Sequence, residues 1–103
     1  MTVVVSFVKP QGLGSVHAPG VGEVRIRENI TIPGSTTASL LNGEVAIVSN
    51  AETSMVAAAL GTTPDAATTT ASATSQAGVG IGAGQSLTFN GKVGDKVNVK
   101  VVT

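Results

Sequence analysis

A chain of 103 residues suits one domain rather than two. Six basic residues balance six acidic ones, so the dense positive field that nucleic acid or an anionic membrane surface requires is not expected. The lack of cysteine excludes a disulfide framework and a thiolate metal site, and two Phe with no Trp or Tyr leave a core made mainly of Val and Ala.

The N-terminus opens on Val3–Val8, a β-branched run that predicts a strand. Its first lysine, Lys9, follows that run, so no secretory leader is expected. Pro10–Gly22 holds Pro10, Gly12, Gly14, Pro19, Gly20 and Gly22 and reads as an extended arm or long loop. From Glu23 to Ile32 the chain alternates. Val24, Ile26, Ile30 and Ile32 share one parity, and Glu23, Arg25, Arg27, Asn29 and Thr31 the other. This predicts a strand with one dry face. Glu28 interrupts the apolar parity and is the expected place of a bulge. Pro33-Gly34 supplies a turn.

Asn42-Gly43 predicts a tight turn before a strand at Glu44–Val48. Asn50–Leu60 has two readings. An Asn50 cap, an alanine run and a closing Gly61 favour a helix, whereas the strand pattern around it favours a strand at Ser54–Leu60, which is preferred. Met55–Leu60 is the longest uninterrupted apolar run and is too short to span a bilayer. Ala66–Gly91 has no charged residue. Its composition fits either a flexible linker or a surface that lies flat against another protein. Asn90-Gly91 is a second turn signal after Leu87-Thr88-Phe89, and Gly94-Asp95 a third. Lys96–Val101 then alternates with Val97, Val99 and Val101 on one face.

The chemistry-bearing residues are few. His17 is the sole histidine and has no neighbouring ligand set for a metal. A triad drawn from Ser15 or Ser6 with His17 and Asp65 lacks a nucleophile elbow. The glycine stretches contain neither G-x-G-x-x-G nor G-x-x-x-x-G-K-S/T, so no phosphate cradle is expected. Glu23, Glu28, Glu44 and Glu52 are read as solvating strand edges and turns rather than as an acid/base pair. Asn29-Ile30-Thr31 matches a glycosylation sequon, without a secretory leader to accompany it. No cofactor and no catalysis are expected.

Ile47-Val48-Ser49-Asn50, Met55–Ala66, Gly82–Phe89 and Gly94–Val99 together form a recurrent pattern. A strand ends in Asn. A second runs into a G-T-x-P-type loop, and an A-G-Q turn then starts a strand toward a valine-rich last strand. This pattern resembles small β-sandwich modules of tailed-bacteriophage virions, used as head decoration or cement proteins and in neck or tail parts. The N-terminal third carries no such pattern.

The resulting expectation is an all-β domain, a single β-sandwich or jelly-roll-like fold of about seven short antiparallel strands. Residues 1–22 supply a strand and the Gly/Pro-rich arm, and residues 23–103 the sandwich. The resemblance implies a virion structural protein on the capsid surface, made in the host cytoplasm. Its partners would be the major capsid protein and further copies of itself, as a homotrimer or homodimer, with no nucleic acid and no membrane. A neck, tail or fibre component is the alternative. A carbohydrate-binding module is a further one, though the chain lacks the Trp or Tyr platforms such modules present. Candidate partner-contact residues are Val16 and His17 in the arm, Arg25 and Arg27, the threonines Thr68, Thr69 and Thr70, and Val79 and Ile81.

Overall fold

The computed structural model describes residues 2–9 and 23–102. It is all-β, with eight strands: β1 Thr2–Lys9, β2 Glu23–Thr31, β3 Gly34–Ser35, β4 Val45–Ser49, β5 Val56–Gly61, β6 Val79–Ile81, β7 Ser86–Asn90 and β8 Lys96–Val101. They form two antiparallel four-stranded sheets that pack as a sandwich. The first sheet runs β2-β1-β4-β7 and the second β3-β8-β5-β6. The arm from Pro10 to Gly22, with Val16 and His17, lies outside the described residues.

Alternation builds the core. Val3, Val5 and Phe7 of β1 point inward, as do Ala46 and Val48 of β4 and Phe89 of β7. From the second sheet Val56, Ala58 and Leu60 meet Val97, Val99 and Ile81. Leu40 closes one end of the sandwich.

Several sequence expectations change. Val56–Gly61 is a strand, so the helix reading of Asn50–Leu60 is wrong and the preferred strand reading holds, starting two residues later and ending one later. The inward side chains of that segment, Val56, Ala58 and Leu60, recur every second residue, and this period overrides alanine's helix propensity. The bulge in β2 falls at Arg25, not at Glu28. Phe7 pairs with Ile26 and Val8 with Val24, which leaves Arg25 as the extra residue. A one-residue slip transfers the residues beyond it to the opposite face, so Val24 is solvent-exposed instead of dry. Ile26 is also exposed, and only Ile30 of the proposed dry parity is fully buried, with Ile32 partly so. Neither Asn-Gly pair joins a hairpin. Asn42-Gly43, with φ +80° at Gly43, precedes β4 after a stretch that is not a strand. Asn90-Gly91 lies on the crossing from β7 to β8, which belong to different sheets. The sequence reading also missed the shortest strands: β3, and β6 within the glycine run.

Only the β1–β2 and β5–β6 connections stay within a sheet, so the crossings need fixing. Asn50 fixes two of them. Its amide is 1% exposed and donates to the Ser54 carbonyl at 2.9 Å, to Ile81 at 3.0 Å and to Gly82 at 3.3 Å. Its side-chain oxygen accepts from the Glu52 N–H at 3.0 Å. The β4–β5 crossing is thereby tied to the β6–β7 crossing. Thr36 ties β3 to β8 in the same manner: its hydroxyl accepts from the Val97 N–H at 3.1 Å and donates to the Ala38 carbonyl at 2.8 Å.

Charged groups close the flank on the β2 side. Glu28 is in register opposite Val5, on the inward parity of an edge strand. Its carboxylate accepts from the Thr37 N–H (3.0 Å), the Thr37 hydroxyl (2.9 Å) and the Ala38 N–H (2.9 Å). Partial burial pushes the Glu28 carboxyl upward, but these three hydrogen bonds outweigh it and hold it below the usual range. Arg25 turns from the bulge over the Phe7 ring, 5.7 Å from its centroid. There it donates to Glu44 Oε2 and to the Ser39 carbonyl, each at 2.7 Å. The Arg25 hydrogen bond is the main cause that keeps the Glu44 carboxyl low, opposed by burial and aided by the Leu41 N–H.

Two predictions follow from these contacts. Replacing Asn50→Ala strands buried carbonyls on both crossings and should cost roughly 2–4 kcal/mol, measured by urea unfolding. Glu28 and Glu44 bind protons more weakly in the folded than in the unfolded chain, so their stabilisation is complete above the ordinary carboxylate range, about pH 4.3. It is lost as pH falls through their lower folded values. A thermal-melting series from neutral to acid pH should show this loss, and Glu44→Gln should make the decline shallower from a lower starting stability.

Candidate functional site

The outer face of the second sheet carries the most distinctive surface. Between β5 and β6 the chain does not turn directly. It leaves at Gly61, and residues 62–78 fold back over the outside of the sheet as a flap. The flap is hydrogen-bonded within itself and to the sheet. The Gln76 N–H donates to the Leu60 carbonyl at 2.7 Å, Thr63 N–H to Thr74 at 3.1 Å, and Gly78 N–H to Thr68 at 2.9 Å. The Ser75 hydroxyl accepts from the Asp65 N–H at 2.9 Å.

Asn98 is the anchor beneath it. Lying on the outward parity of β8, it is nevertheless buried, because the flap covers it. Its side-chain oxygen accepts from the Ala66 N–H at 2.9 Å. Its amide donates to the Gly34 carbonyl at 3.1 Å and the Ser35 hydroxyl at 2.9 Å. One side chain thus holds both the flap and the short edge strand β3. Ala59, also outward, is fully enclosed under the same cover. The uncharged stretch read as linker or contact surface therefore packs first on its own sheet.

Two glycines allow this close approach. A Cβ on Gly61 would strike the Thr74 carbonyl, and one on Gly78 the Ala66 carbonyl. Beside the flap, the sheet is left uncovered where small residues line up across it. Gly80 of β6 pairs with Ala57 of β5, which pairs with Lys100 of β8. They floor an open trough of about 380 Å³, walled by Thr68 and Thr69 on the flap side and by Met55, Val101 and Val102 on the other. Lys100 is neutralised within it, donating to Asp65 Oδ1 at 2.8 Å. That contact, with the Ala67 N–H, holds the Asp65 carboxyl below its ordinary range. As an exposed ion pair it adds little to stability. It does make the trough electrically neutral, a shape of backbone, methyl and hydroxyl groups.

The sequence-proposed contact residues separate on the structure. Thr68 and Thr69 line the trough, and Thr70 lies exposed next to them. Val79 is 44% exposed at the edge of the sheet. Ile81 must be withdrawn: it is 0% exposed, held in the core opposite Val56. The period of two across Val79-Gly80-Ile81 puts both branched side chains inward, and only the outermost keeps solvent access. Arg27 is exposed on β2, whereas Arg25 is committed to Glu44. Val16 and His17 lie outside the described residues. Ala57, Gly80 and Met55 were missed. Only Gly80 carried a signal, its alternation with Val79 and Ile81, because Ala57 stands in a run of three alanines and the face that small residues leave open is not legible before the sheet order is known.

Among the described residues no group of three His, Cys, Asp or Glu side chains is placed to hold a metal ion. Nor is any helix long and apolar enough to cross a membrane.

The flap is expected to depend on Gly78. Gly78→Ala should displace residues 66–68 from the sheet and destabilise the fold by about 1–3 kcal/mol. Hydrogen exchange should then show the Ala66 amide, now bonded to Asn98, losing protection. No protein-family model, curated protein or solved structure matches the chain.

Proposed function

We propose that this protein is a non-catalytic structural component of a bacteriophage virion, a decoration or cement protein that binds and braces the major capsid protein lattice. One observation carries this reading beside the resemblance of residues 47–99 to such modules. The domain presents a neutral trough floored by Ala57 and Gly80 next to a threonine rim, on a flap hydrogen-bonded to the sheet beneath it. A surface of that kind suits close contact with another polypeptide. Apolar area is removed from water there at about 25 cal/mol per Å², and the charges that meet the contact, Lys100 and Asp65, are already paired with each other.

The trough is filled by an extended segment or loop of a capsid subunit, whose backbone approaches Ala57 beside the Met55 side chain that lies over Gly80. Thr69 and Thr70 supply hydroxyls at the rim, while the Thr68 hydroxyl donates to the Thr70 carbonyl at 2.9 Å. Repeated over a symmetric lattice, modest contacts of this kind add up through multivalency.

The test uses capsids, lacking this protein, of the phage that encodes it. Added protein is expected to bind them and raise their heat resistance. Thr69→Glu, exposed and so harmless to the fold, should weaken binding by about ten-fold or more through an unpaired charge at the contact. No gain in capsid resistance would overturn the cement role, and labelling confined to the neck or tail by negative-stain microscopy would move the role there.

A further inference from the structure

A sandwich of two open sheets has four edge strands, and an unguarded edge is a template for pairing with another chain. Three of the four are guarded here. The β2 edge carries Arg25 and Arg27 and points Glu28 inward. The β3 edge is two residues long and the β6 edge three. β7 is different: Ser86-Leu87-Thr88-Phe89-Asn90 is five residues long and has neither charge nor proline. All of its residues except Phe89 are exposed.

The direction of its free backbone groups follows from the ladder. The Asn50 N–H donates to the Gln85 carbonyl at 2.8 Å, continuing the β4–β7 register by one residue. Alternation then turns the backbone of Leu87 and Phe89 toward β4 and that of Ser86, Thr88 and Asn90 away from it. The outward Asn90 carbonyl fits this pattern, since it accepts from the Gln76 side chain at 3.1 Å.

We propose that β7 pairs with β7 of a second copy of this chain, antiparallel about a two-fold axis at Thr88, to join the two first sheets into one eight-stranded sheet. This goes beyond the virion reading and does not depend on it. The strand is self-complementary about that point. Thr88 faces Thr88 as a hydrogen-bonded pair, Leu87 faces Phe89 of the partner copy, and Ser86 faces Asn90, whose carbonyl then accepts from the Ser86 N–H beside or in place of the Gln76 amide. The Leu87–Phe89 pairs fall on the inward side, where branched and aromatic cross-strand neighbours are favourable. Leu87 is 37% exposed and Val79 44%, both on inward parities at the flank where β6 and β7 lie, so the joined sheet covers an apolar seam that the single domain leaves wet.

Sedimentation velocity over a concentration series, with the full chain, tests this. The chain is expected to dimerise. Leu87→Lys places a charge on the edge, as guarded edges do, and should weaken the dimer by about ten-fold or more while leaving the strand signal in circular dichroism unchanged. Thr88→Cys reads the axis directly, because the chain has no other cysteine. A hydrogen-bonded pair sets the two Cα atoms about 5.5 Å apart, within disulfide reach. Mild oxidation should therefore cross-link Thr88→Cys much faster than Thr69→Cys on the flap. A chain that stays monomeric at high concentration would sink the proposal. So would a dimer indifferent to Leu87→Lys, or cross-linking no faster at Thr88→Cys than at Thr69→Cys.

Discussion

The fold depends on the Asn50 amide more than on any single apolar contact. A core with two phenylalanines and otherwise Val, Ala, Leu and Ile gains little per residue from burial, and most connections must still cross between sheets. Each crossing exposes backbone carbonyls that neither ladder satisfies. Asn50 meets that demand with one side chain, bonding three carbonyls and one N–H at the place where two crossings meet. Asn98 and Thr36 repeat the solution on β8 and after β3. Among the described residues no buried side-chain nitrogen or oxygen lacks a partner. Satisfied networks of this kind specify one arrangement where a soft valine core would tolerate several.

Small side chains have a second consequence. An outward face of Ala57, Ala59 and Gly80 cannot shield a sheet, and the chain covers part of it with the 62–78 flap instead. The flap lies close because Gly61 and Gly78 have no Cβ and because Asn98 offers a polar anchor beneath it. The uncovered remainder is the trough. Poverty in bulk on the outer face thus leaves a concavity over Ala57 and Gly80, and it derives from the alanine and glycine content of β5 and β6.

Much of the fold was legible in the sequence. The alternation in Lys96–Val101 and the β-branched run at Val3–Val8 describe local backbone geometry, and the structure has strands there. The misses concern relations between distant segments. The parity of Val24 predicts a dry face, but the bulge at Arg25 reverses it, and the guanidinium there reaches Glu44 and Ser39, nineteen and fourteen residues away. Two Asn-Gly pairs had the chemistry of hairpin turns, yet sheet membership decides whether a turn joins neighbours, and turn residues do not encode it. Ile81 belongs to the uncharged stretch that reads as a contact surface. Its burial follows only from pairing with Val56. Of the contact residues, the threonines were readable from composition, whereas the floor at Ala57 and Gly80 needed the cross-strand register.

Edge protection connects these observations. Charge is scarce in this chain, and the described strands spend it unevenly. Arg25, Arg27 and Glu28 all sit on β2, the long edge strand of the first sheet, while the second sheet relies on edges too short to pair. An edge of five uncharged residues at β7 is inconsistent with that economy if the domain stands alone, since one lysine would have guarded it at negligible cost to the core. The inconsistency disappears when β7 is an interior strand of a larger sheet. The uncharged part of the flap on the outer face of the second sheet has the same logic, because a surface meant for water gains nothing by lacking charge over residues 66–78. Two separate surfaces, one edge and one face, would let a single small domain both pair with its copy and lie against a third chain. That combination is the physical requirement for bridging subunits of a lattice.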